Sequence, residues 1–406
     1  MDALVFLTYL AVILLIGIFC TFLMQKLKIP NILLLLIAGI TLGSISYKEA
    51  PLISFPPIFL TSISILALVM IVFDSASRLK LKKFDSLSIQ ALKLSLIFLL
   101  LNLIFFAMFF KFTFQLESLL LVLLFSALMS GTDPAAILSM LKSSGNKVFE
   151  LLRIESLVNT PLIVLLPFII LDLMKTIKME LILTKFIEQI LPFLQQFVAG
   201  IGAGVLVGII MLKFMKRKYS HILSPLVMIT AALITYILAE NLGGNGVLAV
   251  TAMGLLFGNV YVKQKLQLQE FSTIFSNALE ILVFILIGLV IKIPFSLNFF
   301  FLSFILFIFY TMIRYIAIDF SLRTSKFTTK EKFFMALNAQ KGIAVAVVAF
   351  TLSTLNIQGI ELILNLILAF MLYSIIISTI TIKLSNFFIE EKTDTQKIEQ
   401  GLDIPK

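Results

Sequence analysis

The chain has 406 residues, of which 60% are apolar and only 13% charged, with a mean hydropathy of +1.11. Soluble domains carry about a quarter charged residues, so no water-soluble core of this length hides so much apolar surface, and lipid must solvate it. Inside lipid each backbone satisfies its own hydrogen bonds, and the long unbroken apolar runs select helices over a closed barrel.

About 13 transmembrane helices are expected. They lie near 3–23, 30–47, 57–74, 90–112, 118–141, 151–173, 190–212, 223–241, 245–260, 274–293, 297–320, 333–354 and 361–384, with ends good to about 2–4 residues. The first run lacks a basic segment before it and is long enough to span, so it reads as a membrane helix and not a cleavable signal. It holds the single cysteine, Cys20, which excludes an intrachain disulfide. Span two contains Gly39-Ile40-Thr41-Leu42-Gly43, and span three ends at Asp74. Span five is interrupted by Ser130-Gly131-Thr132-Asp133-Pro134, where Pro134 removes a backbone donor and disfavours helix at Asp133. Span six opens with Arg153-Ile154-Glu155-Ser156-Leu157-Val158-Asn159-Thr160-Pro161. Glu155 and Asn159 share one helix face, as do Ser156 and Thr160, giving a stripe of oxygens suited to a hard cation.

After span seven comes a basic loop and then the only histidine, His221, expected as a solvated interfacial residue. Span nine repeats the glycine spacing as Gly254-Leu255-Leu256-Phe257-Gly258. Span eleven carries Arg314, and span twelve is interrupted by Gln340-Lys341-Gly342. Residues 385–406 read as a short charged cytoplasmic tail, leaving 1–384 as one transmembrane domain.

The net charge of +10 is spread over many short loops, which argues against a nucleic-acid partner. The alternation puts about 23 Lys and Arg on one side and about 6 on the other, so the rich side is cytoplasmic and the N-terminus outside. The chain is therefore expected as a multi-pass cell-membrane protein with the lipid bilayer as its medium.

Spans two and nine share a glycine motif and sit an odd number of crossings apart, so they run in opposite senses. This predicts inverted-topology repeats over about 30–173 and 245–384, which place a site near the midplane on broken helices. Charges at mid-membrane are costly and functional by default. They are Asp74, Asp133, Glu155, Arg314 and Lys341; the two cations are expected in ion pairs with the carboxylates. Asp172, Glu240, Lys292 and Asp319 fall at span ends and read as interfacial. No nucleotide loop, hydrolase triad, zinc cluster or other cofactor site is visible, so an enzyme is not expected.

Several motifs together resemble the sodium/proton antiporters of the cation:proton antiporter superfamily, NhaP-like branch. They are Lys28-Ile29-Pro30 with Ala38-Gly39-x-x-x-Gly43, Phe73-Asp74, Thr132-Asp133-Pro134, Glu155-Ser156-x-x-Asn159, Gly254 to Asn259, Arg314 and Lys341-Gly342, the last usually Arg-Gly in the family. The resemblance implies an all-helical membrane fold with crossed, broken helices (NhaA-like). It implies a homodimer in which a core domain moves against a dimerisation domain, exchanging one Na⁺ or K⁺ for a proton. It also implies a Glu155–Arg314 pair. One position departs: the family has Asp after the helix-six Asn, and here it is Thr160, which cannot titrate. Another carboxylate must then alternate between proton and cation. Asp133 is the first candidate and Glu155 the second, within an ion and proton site of Asp133, Thr132, Glu155, Ser156, Asn159, Thr160 and Asp74. The cation itself is expected on Asp133, Asn159 and Ser156. The same departure leaves open a same-fold transporter of another substrate or coupling, or a non-transporting sensor, against which the short tail argues.

Overall fold

A computed structural model describes residues 3–27, 30–47, 50–51, 53–79, 86–133, 146–176, 182–217, 220, 223–262, 264–291, 294, 296–325 and 327–389. Pro134 with the rest of its half-span, His221, Lys292 and the tail beyond 389 lie outside the described residues. Helices dominate. In chain order they are α1 (Ala3–Leu27), α2 (Asn31–Ser44), α3 (Pro57–Arg78), α4 (Ser86–Leu101), α5 (Ala107–Phe114), α6 (Leu119–Leu128), α7 (Lys147–Thr176) and α8 (Ile182–Arg217). Then follow α9 (Leu223–Asn241), α10 (Gly246–Asn259), α11 (Lys265–Val290), α12 (Leu297–Ser321), α13 (Thr329–Leu337), α14 (Ile343–Ser353), α15 (Ile360–Lys383) and the single turn α16 (Ser385–Phe388). A π-helical turn, Asn102–Phe106, joins α4 to α5. Two dipeptide strands, Ser46–Tyr47 and Ala50–Pro51, pair antiparallel between α2 and α3.

Among the described residues nine helical stretches are long and apolar enough to cross a membrane, and four more apolar helices are shorter: α2, α6, α10 and α14. Every expected span overlaps helix. The short ones follow from their sequences: α6 stops before Gly131, and α13 and α14 are separated by Asn338–Gly342.

Apolar side chains face both inward and outward. Leu297 is 91% exposed and Ile58 78%, a pattern expected of a surface that meets lipid tails. In lipid, burial of apolar area does not draw helices together; close van der Waals contact does, and small residues permit it. The two glycine pairs act here. An added Cβ on Gly39 would overlap the Ile285 carbonyl and stand 2.9 Å from Gly288 Cα, so α2 lies backbone-to-backbone on α11. An added Cβ on Gly254 would stand 2.8 Å from Ala76 Cβ and 3.0 Å from the Phe73 carbonyl oxygen, so α10 lies equally close on α3. α3 and α11 pack antiparallel between these pairs: Ser77 accepts from Gln269 (2.8 Å) and Met70 from Ser276 (3.4 Å). A cluster of buried rings, Phe98, Phe106, Phe307 and Phe370 around Tyr310, fills the space where α4, the π turn, α12 and α15 meet.

Candidate functional site

The end of α6 and the start of α14 meet at a crossing inside the bundle. After α6 the chain makes a tight turn, with Gly131 N–H donating to the Leu128 carbonyl (3.1 Å), and Thr132 and Asp133 follow outside any helix. Asp133 N–H donates to the Gln340 carbonyl across the gap at 2.9 Å. The second interruption is fixed from α15: Ser374 accepts from Lys341 N–H at 3.1 Å, and Ser378 links Gln340 and Asn338 through two 2.5 Å bonds.

Each helix end at the crossing meets a charge of the sign it favours. The Asp133 carboxylate accepts from Ile343 N–H at the start of α14 (3.4 Å). It packs directly on Gly342, where any Cβ would collide with it, so glycine is required there. At the opposite kind of end, Lys341 Nζ donates to the Met129 carbonyl (2.5 Å), the Gly131 carbonyl (2.7 Å) and the Tyr310 hydroxyl (2.5 Å). This corrects the expectation of a carboxylate partner for Lys341. The three donors of an ammonium are satisfied by carbonyl oxygens that the broken helix left without partners, together with one phenol.

Helix α7 supplies the third side. Glu155 and Arg314 are both fully buried and form a two-pronged pair at 2.6 and 2.7 Å, with the guanidinium 4.7 Å from the centre of the Phe98 ring. One turn along, Asn159 Nδ2 donates to Thr132 Oγ1 at 2.8 Å. Asn159 is 4% exposed and its Oδ1 has no hydrogen-bond partner. Thr160 turns its hydroxyl back to the Ser156 carbonyl at 2.7 Å. Among the expected residues, then, Thr132, Asp133 and Asn159 come together at the crossing; Ser156 and Thr160 lie on the same turn of α7.

Asp74 does not join them. It accepts from Arg78 at 3.0 Å and from Thr273 at 3.3 Å, near the end of α3. Interfacial Asp319 pairs with Lys332 at 2.9 Å. A surface depression lined by Tyr315, Asp319, Phe320 and Arg323 contains none of the candidate residues. Among the described residues no group of three or more His, Cys, Asp or Glu is set to hold a metal. The sequence reading passed over one carboxylate, Glu280, half-buried within α11. Its signal was available, since it is an acidic residue in the middle of an apolar run.

Helix ends meeting inside the bundle, with an acid and a free amide oxygen between them, fit a membrane antiporter of the cation:proton class. The family described as sodium/hydrogen exchanger, transmembrane, matches residues 10–385, and the chain belongs to it. A probable Na⁺/H⁺ antiporter 2 of Methanocaldococcus jannaschii is 29% identical over 315 residues, 72% of this chain and 71% of that protein. A K⁺/H⁺ antiporter NhaP2 of Shewanella baltica is 25% identical over 87% of this chain, which aligns with only 61% of that longer protein. The solved structure of the sodium proton antiporter MjNhaP1 from Methanocaldococcus jannaschii superposes with a TM-score of 0.77 at 20% identity, covering 94% of this chain and 97% of that one. That similarity establishes the fold.

Proposed function

We propose that this antiporter exchanges one monovalent cation, Na⁺ or K⁺, for a proton by alternating access, with Asp133 as a carboxylate that meets the ion. The observation that carries this is the bare Oδ1 of buried Asn159 beside the Thr132–Asp133 segment. A buried amide oxygen without a donor is costly, and a dehydrated hard cation satisfies it. Both oxygens of Glu155 are occupied by Arg314, so Glu155 holds the architecture and Asp133 takes the exchange role. Asp74, committed to Arg78 and Thr273, lines the approach. The printed names of the relatives, Na⁺/H⁺ and K⁺/H⁺ antiporters, favour the same two ions.

The halves 30–173 and 245–384 act as inverted repeats in this reading. In its favour, the glycine pair of α2 rests on α11 while that of α10 rests on α3, an exchange of partners that a two-fold relation generates. The loop charges put the N-terminus outside, and the family resemblance implies a homodimer as the working unit.

Reconstituted chain in proteoliposomes with an imposed pH gradient tests the assignment. Addition of Na⁺, K⁺ or Li⁺ is expected to dissipate the gradient, and D133N is expected to abolish that response while remaining monodisperse. No cation-dependent pH change at any pH from 6 to 9 would overturn it.

A further inference from the structure

Lys341 is fully buried, and its Nζ has three polar neighbours: the Met129 carbonyl at 2.5 Å, the Gly131 carbonyl at 2.7 Å and the Tyr310 hydroxyl at 2.5 Å. Its backbone N–H donates to Ser374 at 3.1 Å, so the residue is held at both ends. The two carbonyls can only accept. The hydroxyl can accept or donate, and its heavy atom stands in the same place either way. Tyr310 is 1% exposed, and among the described residues its hydroxyl has Lys341 as its one hydrogen-bond partner.

Two protonation states therefore fit one set of heavy-atom positions. As an ammonium, Nζ donates all three hydrogens, and the buried phenol hydrogen is left without an acceptor among the described residues. As a neutral amine, Nζ donates two hydrogens to the two carbonyls and receives the phenol hydrogen on its lone pair, and no hydrogen is left over. The ammonium gains charge-assisted bonds to the carbonyls; the amine spares the cost of an unanswered buried O–H. Passing from one to the other needs only the loss of a proton and the rotation of one hydroxyl. An arginine in this place would stay charged.

The ionisable groups around this nitrogen do not take part in the exchange of hydrogens. Arg314, one turn beyond Tyr310 on α12, is held by Glu155 of α7. Asp133, at the α6 break, packs on Gly342 and accepts from Ile343 N–H. From α15 comes the Ser374 hydroxyl, which takes the backbone N–H. The link to the cation runs through the chain. The Gly131 carbonyl held by Lys341 adjoins Thr132, which receives Asn159 Nδ2 at 2.8 Å and leaves Asn159 Oδ1 bare. A cation seated on that oxygen brings a second positive charge into the same poorly screened crossing, where two like charges disfavour one another.

We propose that Lys341 carries the exchanged proton, as an ammonium in the cation-free chain and as an amine while the cation is seated. On cation entry one Nζ–H bond breaks, the proton passes to water on the open face, and the Tyr310 O–H turns to the vacated lone pair. Cation release reverses each step. This rests on the antiport reading and divides its roles: Asp133 meets the cation, Lys341 holds the proton, and Thr160, which cannot titrate, is needed for neither.

The test uses full-length protein, wild type, K341Q and K341R, with Na⁺, K⁺ and Li⁺ as probes. Calorimetric titration in detergent, in two buffers of different ionisation heat, gives the protons released per cation bound from pH 6 to 9, and proteoliposomes report exchange. The K341Q carboxamide offers two N–H to the carbonyls and an oxygen to Tyr310; it is expected to bind cation with proton release lost and with affinity independent of pH. K341R keeps the charge; it is expected to lose proton release and to bind cation at least tenfold more weakly. Neither variant should dissipate a pH gradient on cation addition. A lysine that only braced the crossing would alter stability and affinity but leave proton release per bound cation unchanged, so wild-type release in either variant overturns the inference and leaves antiport intact. Should neither variant fold or bind, wild-type chain labelled with ¹³C-lysine decides. Water-facing lysines stay ammonium over this range, so an amine-type Cε signal that appears at saturating cation is expected, and its absence overturns the inference. A wild-type chain with neither exchange nor cation binding overturns both readings together.

Discussion

Arg314 is fully buried in the bundle, and its guanidinium holds both oxygens of an equally buried carboxylate while resting on the Phe98 ring. Removing one member of such a pair leaves a lone charge in a medium that solvates it poorly, at a cost of about 3–5 kcal/mol. E155Q and R314Q are each expected to lower the unfolding temperature in detergent sharply. The double variant E155Q/R314Q should be more stable than either single one, and a double variant no better than the worse single would contradict the pairing. This pair was legible in the sequence only through family resemblance, because the two residues are far apart in the chain. The surroundings of Lys341 were not legible. Backbone carbonyls carry no residue-type signal, so the sequence suggested a carboxylate partner where the structure supplies Met129 and Gly131. Glu280 was legible from its position in an apolar run.

The elements divide into those that cross by length and those that work by being cut short. Hydrophobic runs coincide with helix at each expected span among the described residues; the interruptions at Gly131 and Gly342 were marked by the residues that cause them. The π turn at Asn102–Phe106 was not legible, since one inserted residue leaves the apolar pattern of α4 and α5 intact. Helix contact gives a sharper prediction. At Gly39 an added methyl meets main chain of α11, which has no rotamer to yield, whereas Gly202 on α8 has open space around it. G39A is expected to destabilise by about 1–3 kcal/mol, as overpacking does. G202A should be neutral or mildly stabilising, because alanine gains up to about 1 kcal/mol over glycine within a helix. Paired thermal unfolding of the two variants checks this, and equal behaviour would show that the α2–α11 seam is looser than described.

For the molecule as a whole, the loop charges predict an orientation with the N-terminus outside. With Cys20 replaced by alanine, a single cysteine introduced as S118C in the turn before α6 should react with a membrane-impermeant maleimide added from outside intact cells. T328C, at the start of α13, should react only after permeabilisation. Reversed labelling would invert the orientation, and labelling of both from one side would remove a crossing between them. Composition alone pointed to the membrane class; the expected sidedness comes from counting basic residues between spans, which depends on how every interruption is assigned.

The main-chain bond from Asp133 to the Gln340 carbonyl has a kinematic consequence. Because Lys341 also ties the far side of one interruption to the other, neither can shift by itself without exposing bare amides and carbonyls to hydrocarbon. The two interruptions form one tied unit. In the proposed exchange, whatever displacement carries the ion from one face to the other is expected to take both interruptions along together.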